Sequence, residues 1–167
     1  RRSSRPARPV SSPSWRTPGA NVSVFAATGS CLTELEGSLS GNRFEADQLI
    51  GTDPADGRPL LARYDLAKAG ATLTKADMKA RTRGGLWRWR EMLPVRDGAN
   101  LTTLGEGGCP LLPAPNLAKS LGLTNLWLKA ESLNPTGSFK ARGMAVAVSR
   151  AKELGVTHLV APSAGNA

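Results

Sequence analysis

The stretch that decides the fold runs from Leu126 to Asn166. It begins Leu126-Trp127-Leu128-Lys129-Ala130-Glu131, continues through the turn-rich Ser132–Gly137 segment, and ends His158-Leu159-Val160-Ala161-Pro162-Ser163-Ala164-Gly165-Asn166. The first six residues alternate enough to predict a strand, and Gly and Pro in the following segment predict a loop. Ser138 suits a helix N-cap. Behind it Ala141, Met144, Ala145, Val148 and Ala151 recur at three and four residues, which predicts a helix through Leu154 with one apolar face. Gly155 is placed to end it as a left-handed C-terminal residue, and the apolar run 158–161 reads as a second, buried strand. A strand–helix–strand unit implies an α/β fold with a parallel sheet and a right-handed crossover. Such a sheet needs both faces covered, and the chain stops at Ala167, where the next helix should begin, so the expected sheet is incomplete.

Working outward, residues 63–97 hold Arg63-Tyr64-Asp65-Leu66 and Gly85-Leu86-Trp87-Arg88-Trp89-Arg90-Glu91-Met92-Leu93-Pro94. Arg alternating with Trp could form a nucleic-acid stacking platform. Leu86, Trp89 and Leu93, or Trp87 and Met92, also fall at helical spacing, so the favoured reading packs the aromatics and solvates the arginines. Residues 31–62 interleave short apolar groups with Gly, Asn and Asp and predict a small loop-rich or β-hairpin module, too small to hold a core alone. Residues 1–30 are rich in Ser, Pro and Arg, lack apolar periodicity, and read as a disordered leader.

Of the 22 Lys and Arg residues in the 167-residue chain, five lie in that leader with no acid beside them, so much of the net charge of +9 is remote from any folded surface. Bulk charge therefore gives no reason to expect a nucleic-acid partner. The leader's acid-free, Arg- and Ser-rich composition also suits an organellar transit peptide, although four prolines oppose the amphipathic helix such peptides form. No run approaches the ~20 apolar residues that span a bilayer. Two cysteines, Cys31 and Cys109, make no disulfide framework and suit a reducing, cytoplasmic setting.

One position stands out chemically. Lys140 falls in the first turn of the predicted helix, after a Gly-bearing loop at the carboxyl end of a strand, where open α/β sheets bind ligands. A helix N-terminus disfavours positive charge, and a neutral amine is what a Schiff-base lysine needs. On these grounds alone, a lysine that merely points to solvent is an equally good reading.

The string Asn134-Pro135-Thr136-Gly137-Ser138-Phe139-Lys140-Ala141-Arg142-Gly143 resembles the lysine motif of the fold-type II pyridoxal-phosphate enzymes, the tryptophan synthase beta and threonine dehydratase superfamily. Arg63-Tyr64-Asp65-Leu66, Gly85-Leu86-Trp87-Arg88, Leu104-Gly105-Glu106-Gly107-Gly108 before Pro110-Leu111-Leu112, and the Pro162–Ala167 end resemble threonine synthase landmarks in the expected order, narrowing the resemblance to that family. It covers about residues 31–167 and implies that 63–167 begin the catalytic domain. It also implies that Lys140 holds pyridoxal 5'-phosphate as a Schiff base and shuttles protons at the substrate carbons. Asn166 would bond the cofactor's 3'-hydroxyl, while Ser163, Ala164, Gly165 and Asn166 would receive the amino-acid substrate's carboxylate. The implied reaction converts O-phospho-L-homoserine and water to L-threonine and phosphate, in a homodimer. Another fold-type II enzyme, such as a threonine or serine dehydratase, and a non-catalytic truncated product are the alternatives.

The departures from the family are informative. Members often open with a zinc-ribbon-like module, but here Gly37, Ser40, Thr52 and Asp56 stand where its thiolates would. Zinc needs about four N or S ligands, so residues 31–62 are expected to be a degenerate ribbon without metal. Cys109 occupies a threonine position and reads as a buried, inert thiol. The family's phosphate cup and the residue facing the pyridine nitrogen belong to sequence beyond position 167, so the chain alone is expected to be a poor catalyst.

Overall fold

A computed structural model describes residues 29–81, 85–163 and 165. Of the expected leader, residues 1–28 lie outside the described residues, and so do Ala164 and Asn166.

The N-terminal part is a three-stranded antiparallel sheet in the order β2-β1-β3, with β1 Leu32–Gly37, β2 Arg43–Glu45 and β3 Leu60–Tyr64. Leu35 stands opposite Phe44 on one side and Ala62 on the other. Cross-strand charge pairs tie the wet face, where Arg63 Nε and Nη2 donate to Glu36 at 2.7 and 2.8 Å and Arg43 pairs with Glu34. The strand β3 crosses position 62, where the sequence suggested a module boundary.

Two tight turns close this sheet at the positions where the thiolates of a zinc ribbon would stand. In the first, Gly37 N–H donates to Asn42 O at 2.8 Å; in the second, Asp53 N–H donates to Arg58 O at 2.9 Å and Gly57 N–H to Asp53 O at 2.8 Å. The Asp53 side chain, fully buried, joins the two turns by accepting Ser40 Oγ–H and Ala55 N–H. Those bonds, Ser40's first, hold the Asp53 carboxyl below its ordinary range. Gly37 leaves room for the arrangement, since a Cβ there would overlap Asp53 Oδ2 and Ser40 Oγ. Among the described residues, no group of three His, Cys, Asp or Glu side chains is placed to hold a metal ion.

Two short helices follow, α1 Leu66–Gly70 and α2 Lys75–Ala80. A capping box on Thr74 and Asp77 starts α2. Residues Gly85–Met92 form a 3-10 turn kinked at Trp89. Of the two packing sets expected there, the structure selects the one with Trp87, which is buried, while Trp89 is 46% exposed with the Arg88 guanidinium 5.7 Å from its ring centre. The arginines are less solvated than expected. Arg88 bonds Met78 O, and Arg81 makes two bonds of 2.8 and 2.6 Å to the buried Glu91, fastening α2 to this turn.

The C-terminal part departs from the expected parallel sheet. The strand predicted over 126–131 forms as β5 Trp127–Lys129, but it pairs antiparallel with β4 Leu111–Pro113, with α3 Pro115–Ser120 between them. Residues 158–161 form no strand, and His158, expected as strand filler, is exposed, with its Nδ1 2.9 Å from Thr157 Oγ1. Val160 is 97% exposed and Leu159 56%. An apolar run of this kind becomes a buried strand only beside another strand, and no such neighbour lies among the described residues. The fold class is mixed α/β with small antiparallel sheets.

The long helix α4, Lys140–Glu153, carries the site. It ends as predicted: Gly155 adopts φ +77°, and Val156 N–H reaches back to Ala151 O at 2.9 Å. Ser149, fully buried, accepts Thr102 N–H at 2.8 Å, and Glu153 accepts the N–H groups of Arg96 and Asp97 at 2.9 and 2.7 Å. Arg150 donates to Ala46 O at 2.9 Å and pairs with Asp47, so the same helix is fastened to the N-terminal sheet. No helix among the described residues is long and apolar enough to cross a membrane.

Candidate active site

The loop from Glu131 to Phe139 delivers Lys140 to the first residue of α4. A 3-10 turn, Glu131–Leu133, opens the loop. Gly137, at φ +69°, then turns the chain while its N–H donates to Asn134 O at 2.7 Å. Ser138 is buried and acts as expected of a cap, though two residues before the helix: its Oγ accepts Lys140 N–H at 3.2 Å and its carbonyl accepts Ala141 N–H at 3.3 Å. Phe139 precedes the helix in helical conformation with no side-chain cap bond, so the first turn closes mostly on its own backbone. Lys140 is half-buried, and its amine has no hydrogen-bond or ion-pair partner among the described residues.

Beneath the loop lies a set of residues that sequence reasoning passed over. Arg142 grips Glu131 with two parallel bonds, Nε to Oε2 at 2.9 Å and Nη2 to Oε1 at 2.8 Å. This guanidinium, with help from the Asn134 amide, holds the Glu131 carboxyl down to about 2. Asn134 is buried and fully engaged: its amide donates to Glu131 O at 2.8 Å and Glu131 Oε2 at 2.7 Å, and its Oδ1 accepts Gly107 N–H at 3.0 Å. Glu106, also buried, accepts Trp87 Nε1–H at 3.1 Å, Thr103 Oγ1–H at 2.9 Å and Leu104 N–H at 2.8 Å. Cys109 is buried, with Sγ 4.0 Å from Gly107 O. One signal could have found Glu131 and Arg142: a carboxylate and a guanidinium bracketing an exposed Gly/Pro loop.

Between the 102–106 segment and α4 lies a cleft of about 140 Å³ bounded by Thr103, Leu104, Thr136, Ala141, Met144 and Val148. Ser163 and Gly165 lie in the exposed segment that follows α4. Gly165 N–H donates to Ser163 Oγ at 3.0 Å, a bond local to this segment.

Against known proteins, residues 102–167 match the model of the family described as pyridoxal-phosphate dependent enzyme. Three relatives share the name threonine synthase. The chain is 41% identical over 126 residues to that of Methanocaldococcus jannaschii, which covers 75% of the chain and 31% of the relative. It is 49% identical over 84 residues to that of Halalkalibacterium halodurans, covering 50% and 23%. It is 47% identical over 87 residues to that of Synechocystis sp., covering 52% and 23%. The chain thus spans less than a third of the length of these relatives.

The residues present fit the covalent end of the family's cofactor, pyridoxal phosphate. A half-buried primary amine with no partner among the described residues, on a segment braced from beneath, suits a bond to an aldehyde carbon.

Proposed function

We propose that this chain is the lysine-bearing part of a threonine synthase, which converts O-phospho-L-homoserine and water to L-threonine and phosphate. The observation that carries the reading is the Lys140 amine, without a partner among the described residues and set at the start of α4 within the Asn134–Gly143 string. When bound, pyridoxal phosphate serves as the electron sink for carbanions formed on the substrate. Lys140 would hold it covalently, and the Lys140 amine would move protons at the substrate carbons, beginning with the α-carbon. In this reading Asn166 bonds the cofactor's 3'-hydroxyl. Ser163, Ala164, Gly165 and Asn166 hold the substrate carboxylate, a role that the small and polar residues of this string suit.

The N-terminal sheet contributes no chemistry here; Arg150, Arg96 and Glu153 tie it to the far end of α4 and so steady the helix that carries Lys140. Both thiols are buried and unpaired, which supports a reducing, cytoplasmic location. The test is made with the protein at its full natural length, loaded with pyridoxal phosphate. O-Phospho-L-homoserine should release phosphate and yield threonine in equal amounts. Ketoacid formation from threonine, without phosphate release from O-phosphohomoserine, would make it a dehydratase instead.

A further inference from the structure

The bonds beneath the lysine loop form a unit whose geometry bears on Lys140. Glu131 opens the loop, Asn134 lies within it, and Arg142 follows in the first turn of α4. The Arg142–Glu131 fork and the Asn134–Glu131 bond close this arch of the chain at its base. Asn134 then ties the base to a separate segment through Gly107 N–H. Gly107 admits the arrangement because it has no side chain: a Cβ there would lie 3.0 Å from Arg142 Nη1 and overlap the backbone at Leu86. At 3.6 residues per turn, positions 140 and 142 lie about 200° apart around the helix. The fork therefore fixes the helix's first turn from the face opposite Lys140 and leaves that residue's amine unengaged.

A planar guanidinium held by two bonds to one carboxylate sets direction as well as distance. A loop fixed only by its backbone would let the first turn fray, because the terminal turns of a helix lack a full set of internal bonds. We propose that Glu131, Asn134 and Arg142 are positioning residues for Lys140, a three-residue latch that fixes where the lysine amine meets the cofactor. The proposal rests on Lys140 being the cofactor lysine. It adds three residues to that site which touch neither cofactor nor substrate.

The experiment uses the protein at its full natural length and the variants Glu131→Gln, Arg142→Lys and Asn134→Asp. Each is titrated with pyridoxal phosphate and followed by its visible band across pH. Each is then reduced with borohydride and the labelled peptide identified, and the melting of the cofactor-free form is followed by circular dichroism. Arg142→Lys keeps the charge and loses the fork, and should weaken cofactor binding about tenfold, the scale of a charged hydrogen bond. It should also shift the pH midpoint of the band while Lys140 remains the labelled residue. Wild-type affinity and an unmoved pH midpoint in Arg142→Lys and Asn134→Asp would overturn the proposal, and so would a lower melting temperature accompanied by an unmoved band, which would mark the latch as purely structural. If Glu131→Gln fails to fold, the other two variants decide. Failure of the wild type to label at Lys140 would instead remove the functional reading itself, and this proposal with it.

Discussion

Replacing Gly107 and its neighbour Gly108 by alanine separates backbone conformation from close packing. Both residues lie at positive φ, +87° and +62°, where an L side chain is disfavoured. At Gly108 a Cβ would meet only Gly85 Cα at 3.9 Å, an ordinary contact. Gly108→Ala should therefore cost the conformational penalty alone, about 1 kcal/mol. At Gly107 the new Cβ would stand 2.8 Å from Gly85 C and overlap Leu86 N, both main-chain atoms that no rotamer change can move. Leu86 N–H is moreover committed to Glu106 O at 2.9 Å. Overpacking adds about 1–3 kcal/mol to the same conformational penalty, so Gly107→Ala should cost about 3 kcal/mol. With a urea slope of about 2 kcal/mol/M, the midpoint should fall by about 0.5 M for Gly108→Ala and about 1.5 M for Gly107→Ala. Equilibrium unfolding followed by tryptophan fluorescence reads this directly, since buried Trp87 bonds the adjacent Glu106. Equal midpoint shifts in the two variants would refute the reasoning.

Because Arg142 lowers the Glu131 carboxyl from 4.5 to about 2 in the folded chain, the pair stabilises the fold above the unfolded value and loses that contribution as pH falls from 4.5 toward 2. Glu131→Gln should flatten the acid limb of unfolding midpoint against pH in this window, and a limb as steep as the wild type's would count against the assignment. Since Asp53 and Ser40 join the turns where the thiolates of a zinc ribbon would stand, melting should be indifferent to chelator and to added zinc but lowered by Asp53→Ala; melting that falls with chelator would contradict this.

The helix was legible because its apolar positions repeat over about three turns, from Ala141 to Ala151, and because Gly155 ends it at the only kind of φ that made the residue worth predicting. Even there the pattern missed Ser149, a polar residue on the packed face whose hydroxyl receives Thr102 N–H. Periodicity marked the 126–131 strand but carries no information about its partner, and the structure pairs Leu112 with Leu128 in an antiparallel ribbon. At the replaced thiolate positions, the residue that bonds Ser40 is Asp53, next to Thr52 in sequence and unmarked by any spacing rule. Lys140 was singled out by its motif, whereas the Glu131–Arg142 fork is a contact across eleven residues, for which the sequence offered only a carboxylate and a guanidinium bracketing a Gly/Pro loop.

The central claim is that Lys140 bonds the cofactor. The most direct measurement is borohydride reduction of the full-length protein with pyridoxal phosphate, followed by mass mapping of the modified peptide. A single pyridoxyl label on Lys140, lost in Lys140→Ala, is the predicted result; a label on Lys129 or Lys152 that persists in Lys140→Ala, or no label at all, would contradict it.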